Sequence, residues 1–234
     1  MRIAYVEWVS LIDFPGKVAA VVWTVGCNLR CPFCYNGELV LPERAAALSP
    51  MDPEGLLSQL AARRGFVDGL AVTGGEPTLQ PDLADFLAEV KGLGLAVKLD
   101  TNGTRPEALA ALLKRGLLDY VALDLKAPFP RYPEFTGVKE DVSGRVRKSV
   151  QVLREGAPDY ELRTTVAPGL SEADIEAIAQ AVRGAKRYVL QPFFVPRGKG
   201  LIDPSWAGRP HLKEGDLRRL APRLSRILPC SVRA

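Results

Sequence analysis

The chain has 234 residues, 47% hydrophobic and 25% charged, enough for one sizeable α/β domain or barrel spanning 1–234. A net charge of +4 is small for this length, and the basic clusters Arg145-Val-Arg-Lys148 and Arg218 to Arg226 carry no interleaved aromatics. They read as solvated helix faces, which excludes a nucleic-acid footprint.

No apolar run reaches membrane-span length, and the start Met1-Arg-Ile-Ala-Tyr lacks a signal-peptide core. A cytoplasmic protein with no membrane partner is expected. In chain order, residues 2–16 show alternating apolar positions and end in the turn Asp13-Phe-Pro-Gly16. A near-continuous apolar run over 18–25 predicts a buried strand. Asp52 with Pro53 behind it starts a helix whose stripe is Leu56, Leu57, Leu60 and Ala61. A strand over 70–73 and a helix over 82–90 follow, then a strand over 95–99. Thr104-x-x-Glu107 reads as a capping box opening a helix that closes at Gly116. Strands over 120–125, 160–166 and 188–194 alternate with helices over 145–154, from Ser171-x-x-Asp174 onward, and over 214–227. Six strands in strict βα alternation predict a parallel sheet, and six units are too few for a closed eight-fold barrel. The expected fold class is α/β, an open partial (β/α)6 barrel.

Three of the four cysteines, Cys27, Cys31 and Cys34, lie within eight residues directly after the first of these strands. Parallel α/β folds keep their chemistry on loops at that end of the strands. Such a C-x3-C-x2-C loop calls for a metal. A structural zinc needs four closed ligands, and His211 and Cys230 are in no ligand-like spacing. Electron-transfer clusters usually take four cysteines. A [4Fe–4S] cluster on three thiolates leaves one iron open, which makes it a reaction site. Such free thiolates also suit a reducing compartment.

This loop, with Phe33 before its last cysteine, resembles the signature of the radical S-adenosylmethionine (SAM) enzymes. Within them, Ser10-Leu-Ile-Asp-Phe-Pro-Gly-Lys17 and Gly26 to Asn36 resemble the glycyl-radical-enzyme activases, above all those of anaerobic ribonucleoside-triphosphate reductase. The resemblance implies a [4Fe–4S] cluster on the three cysteines, SAM chelating the open iron, and a 5′-deoxyadenosyl radical. It implies a glycyl radical enzyme as partner, with a flavodoxin or ferredoxin-type electron donor. Asp13 would face the partner's glycine-bearing peptide.

Further site residues follow from their positions. Gly74 and Gly75, after the 70–73 strand, let backbone approach a ligand, and Glu76 is an acceptor. Gly-Gly alone is a turn; here it resembles the motif that meets the SAM amino group. Asp100, Thr101 and Asn102 end one strand and Asp124 and Lys126 the next, so both sets point to one rim. By default each aspartate is a cap or turn former. By resemblance they surround SAM: Asp100, Thr101, Asp124 and the Ala122 carbonyl would form a monovalent-cation site, and Lys126 would neutralise a carboxylate. Arg163, a charge in a buried strand, needs a partner: an internal ion pair with Asp124, or SAM's carboxylate or ribose, which the resemblance favours. Tyr35 stands where many activases have histidine, and Gln191 stands where their last strand often has a histidine near adenine, so the resemblance implies that Gln191 meets adenine. The long loops 127–141 and 195–210 are expected to frame the mouth. Cys230 and His211 receive no role. Two rival readings remain: a radical-SAM enzyme acting on a small molecule, of the 7-carboxy-7-deazaguanine synthase kind, and a non-catalytic iron–sulfur protein.

Overall fold

A computed structural model describes residues 1–233. One sheet runs β1 (Ile3–Ser10), β2 (Ala19–Thr24), β3 (Gly69–Gly74), β4 (Ala96–Thr101), β5 (Tyr120–Asp124), β6 (Tyr160–Val166), β7 (Tyr188–Pro192) and β8 (Cys230–Val232), its spatial order being the chain order. Strands β2 to β8 are parallel, and β1 pairs antiparallel with β2. Among the described residues no pairing joins β8 to β1, so the barrel stays open. The short helices α1 (Gly37–Val40) and α2 (Pro42–Ala45) follow the cysteine loop. After α3 (Pro53–Ala62), α4 (Leu83–Gly92) and α5 (Pro106–Lys114) come the short α6 (Tyr132–Thr136), then α7 (Ser143–Gly156), α8 (Glu172–Ala181) and α9 (Glu214–Leu224).

The six expected strands form, and two more flank them. The alternation over residues 2–16 is an edge strand, one face of which packs inward. The tail at Cys230 is a three-residue strand, too short for any periodic signal in the sequence.

Strand alternation sorts the residues into two layers. Val97, Leu99, Val121, Leu123, Leu162 and Leu190 join the main core with Leu87, Leu109, Leu153, Ile178 and Leu217 from the helices. Full burial of each such side chain is worth about 1.5–3 kcal/mol. The opposite face is polar: Asp100, Asp124 and Arg163 line a cavity inside the barrel, and Lys98 and Glu161 share their side of the strands. At the floor of that lumen Phe14, Ala19 and Tyr120 form a small separate apolar cluster.

Two expected helix starts hold. Asp52 accepts from the Glu54 and Gly55 amides, and Ser171 with Asp174 forms a reciprocal capping box. The third does not. Helix α5 starts at Pro106 with Arg105 as its cap, without a side-chain bond. Thr104 is instead buried and bonded to Asn28 and Asn102, because tertiary partners outcompete a local cap. Among the described residues no helix is long and apolar enough to cross a membrane.

Candidate active site

The cysteine loop leaves the carboxyl end of β2 through Gly26, whose φ of +101° only glycine adopts readily. It is clamped from outside by the two long loops. The Arg30 amide donates to Thr136 O at 2.8 Å, the Ile202 amide to Cys34 O at 2.9 Å, and the Asp203 amide to Pro32 O at 3.0 Å. Phe33 packs on Trp206 and Phe135, with centroids 5.9 and 6.3 Å away. These parts of loops 127–141 and 195–210 therefore hold the cysteine loop in place, and among the described residues neither loop lines the cavity itself. The reason is that the loop's own carbonyls and amides need partners, and neighbouring connections supply them.

Cys27, Cys31 and Cys34 line one cavity of about 340 Å³. Burial pushes the Cys27 thiol up to about 11, Cys31 to about 12, and Cys34 upward as well. A metal reverses such a preference, because a coordinating thiol is deprotonated outright. Cys27 Sγ already accepts the Leu29 amide at 3.4 Å and Asn102 Nδ2 at 3.9 Å. Cys230 pairs with Tyr188 at the start of β7, at the opposite end of the strands, so Cys27, Cys31 and Cys34 line this cavity and Cys230 does not. This soft, three-thiol donor set beside a roomy polar cavity fits a [4Fe–4S] cluster with one open iron.

The Gly-Gly-Glu segment also carries a structural load. A Cβ on Gly74 would lie 2.3 Å from Thr24 N, and one on Gly75 2.0 Å from Gly26 O. The glycines are needed because this turn presses on the exit of β2; both still line the cavity. Glu76 is fully buried. Its carboxylate accepts the Thr78 amide and hydroxyl, the Thr101 hydroxyl at 2.7 Å and the Asn102 amide at 2.7 Å. Burial raises its pKa while those donors oppose the shift. Glu76 thus ties the ends of β3 and β4 together. Asn102 continues the tie: its Nδ2 donates to Asn28 Oδ1 at 3.0 Å, and Asn28 Nδ2 donates to Thr104 Oγ1 at 2.8 Å.

On the cavity wall Arg163 Nε donates to Asp124 Oδ1 at 2.6 Å and Nη1 to Asp100 Oδ2 at 3.2 Å. Lys126 Nζ donates to Asp124 Oδ2 at 3.0 Å, and Lys98 pairs with Asp100 Oδ1. Burial alone would raise both aspartates, but Arg163 and the two lysines hold Asp100 below, and Asp124 well below, the usual carboxylate range. The internal ion pair of Arg163 with Asp124 therefore forms, and extends to Asp100. Arg163 Nη2 has no protein hydrogen bond among the described residues. The expected cation site meets a different arrangement: its two carboxylates carry side-chain cations and the Thr101 hydroxyl is spent on Glu76.

Asp13, Phe33, Tyr35, Asp124, Lys126 and Gln191 line the same cavity as the cysteines. Ser10 Oγ donates to Asp13 Oδ2 at 2.6 Å and fixes it at the rim. Tyr35 packs against Phe194 in a tilted pair with centroids 5.9 Å apart. His211 meets the ring of Phe193 edge-on at 5.3 Å and does not line the cavity. Sequence reading missed Trp23, Thr73, Thr165 and Phe193, which also line it, and the buried Lys98. Thr165 and Lys98 had a signal: each lies two residues from a singled-out charge on the same strand.

The profile of the radical SAM superfamily matches residues 21–182. A Methanocaldococcus jannaschii protein named as a glycyl-radical enzyme activating enzyme is 36% identical over 216 residues, covering 90% of this chain and 86% of that protein. The pyruvate formate-lyase-activating enzyme of Clostridium pasteurianum is 34% identical over 53% of this chain and 52% of its own. In three dimensions the chain is similar to Streptococcus suis SuiB bound to its precursor peptide SuiA, with TM-score 0.71 and 16% identity over 92% of this chain and 48% of that one. Taken with the three-thiol cavity, these matches place the chain in the radical SAM superfamily, enzymes that work with a [4Fe–4S] cluster and SAM.

Proposed function

We propose that the protein generates a glycyl radical on a partner enzyme, and that the partner is anaerobic ribonucleoside-triphosphate reductase. The observation that carries the reading is the rim. Asp13 stands at the cavity edge, and beside it Leu11 and Ile12 are 73% and 78% exposed. Apolar side chains left in water next to a cavity suit a polypeptide substrate better than a small polar one. The extensive likeness to a protein named as a glycyl-radical enzyme activating enzyme supports the same reading, and the Ser10 to Lys17 and Gly26 to Asn36 segments support the choice of partner.

A bound cluster would supply one electron for reductive cleavage of the SAM sulfonium to methionine and a 5′-deoxyadenosyl radical, and hydrogen transfer from a glycine Cα would then give 5′-deoxyadenosine and the glycyl radical. The chain's residues do the rest. Cys27, Cys31 and Cys34 hold the cluster. Gly74 and Gly75 offer main-chain groups to the methionine amino group, and Arg163 Nη2 with Lys126 offers positive charge to its carboxylate. Tyr35 and Gln191 flank the adenosyl end. Phe33, Phe135 and Trp206 pack over the back of the cysteine loop and keep solvent off that side of it. Asp13 receives the partner's backbone. A flavodoxin or ferredoxin-type protein delivers the electron, and the chain works as one domain.

The test is anaerobic. Reconstituted protein, SAM, dithionite and the reductase are mixed and frozen for EPR. A glycyl doublet formed with stoichiometric 5′-deoxyadenosine is expected. SAM cleavage that never yields a doublet with this reductase, but does with another glycyl radical enzyme, overturns the choice of partner. Cleavage coupled only to a small molecule overturns the activase reading.

A further inference from the structure

Lys98 is 1% exposed in the middle of a parallel sheet, a place where lysine is almost never found unless paired. It precedes Asp100 by two residues on β4, so both project into the lumen. Five side chains there alternate in sign: Lys98, Asp100, Arg163, Asp124, Lys126. Each of the four carboxylate oxygens has a cationic side chain on it. Three positive charges against two negative leave one positive in surplus. Asp100, Arg163, Asp124 and Lys126 line the cavity; Lys98 does not, and lies behind Asp100.

We propose that Lys98 is a positioning residue, a counter-cation built into the chain that keeps Asp100 ionised and turned to Arg163, so that the site binds SAM without any inorganic monovalent cation. The inference rests on the cavity being the SAM site. With Lys98 the wall has a surplus positive charge for the methionine carboxylate. Without it the remaining four charges cancel, Asp100 Oδ1 is left as a buried acceptor with no donor, and the vacated space admits a small cation. Ala122 on β5 lies between β4 and β6 in register with Asp100, and its small side chain leaves Arg163 room to cross to Asp100.

The experiment measures SAM affinity by anaerobic equilibrium dialysis of the cluster-loaded protein without reductant, in buffer whose only cation is tetramethylammonium, and again with potassium or ammonium added. The wild type is expected to bind equally well in all three. Lys98→Ala is expected to bind SAM at least about tenfold more weakly in tetramethylammonium, as for truncation of a buried charge pair, and to recover on adding ammonium or potassium. Lys98→Met fills the space with an uncharged chain and is expected to stay weak whatever the salt. A wild type that binds SAM only once potassium or ammonium is added overturns the proposal even if neither variant folds. So does a Lys98→Ala protein that binds SAM like the wild type in tetramethylammonium, or one that no added cation restores. A wild type that binds no SAM in any buffer is a different failure, that of the SAM site itself.

Discussion

Arg163 and Asp124 stand opposite one another in the β6–β5 register and share a hydrogen bond of 2.6 Å, while the same guanidinium reaches across β5 to Asp100. One arginine thus sets the direction of both carboxylates on the cavity wall. Arg163→Met leaves two buried aspartates facing each other with only lysine partners. Breaking such a pair costs about 3–5 kcal/mol, so a clear fall in the urea midpoint of the apoprotein is expected, together with loss of SAM binding. In the Arg163→Met background each aspartate still has its lysine, so in a double-mutant cycle Asp124→Asn adds a further loss by leaving Lys126 without its counter-charge.

Acid should undo the barrel interior in a defined direction. Asp100, Asp124 and Glu161 all titrate below their ordinary range, each because flanking guanidinium or ammonium groups outweigh its burial. A depressed folded pKa means the unfolded chain binds more protons, so stability rises with pH. That stability is complete above about pH 4–5 and drains away as pH falls through the lower folded values. Glu161 is fully buried with Arg233 forked onto it at 2.6 Å on both oxygens and Tyr120 donating at 2.8 Å. Arg233→Met is expected to lower stability at pH 7 and to flatten the acid limb of the pH–stability curve. Equal slopes for variant and wild type would refute the latch.

Gly75 and Gly144 make a contrasting pair. Gly75→Ala drives a methyl against Gly26 O, rigid backbone that carries the cysteine loop. Overpacking of this kind costs about 1–3 kcal/mol or more, and low iron and sulfide per chain after reconstitution is the expected sign. Gly144 lies in α7 with nothing within 4 Å of its Cβ position. Gly144→Ala should raise the melting point slightly, worth about 0.5 kcal/mol.

The amide network on Cys27 should be visible in the cluster's potential. Hydrogen bonds to cluster sulfurs are among the determinants of reduction potential. Asn102→Ala removes the Nδ2 donor to Cys27 Sγ and is expected to make the potential more negative in an EPR redox titration. Thr104→Val leaves Asn28 Nδ2 without its acceptor and costs about 1–3 kcal/mol in a urea melt, with a smaller change in potential.

How much of this was legible beforehand depended on the range of the interaction. The strands β2 to β7, the Asp52 and Ser171 caps and the three-cysteine loop were written in local pattern, because apolar period and ligand spacing act over a few residues. Hence the fold class and the cluster followed from the sequence by itself. Thr104 shows the limit: its local pattern says cap, but Asn28, 76 residues away, takes its hydroxyl. The partners of Glu76, the clamping loops over Cys34, the Arg233 latch and the burial of Lys98 were settled only by tertiary structure. Each rests on a contact between strands or loops distant in the chain, and the desolvation of a charge or a carbonyl exists only once the sheet has brought those segments together.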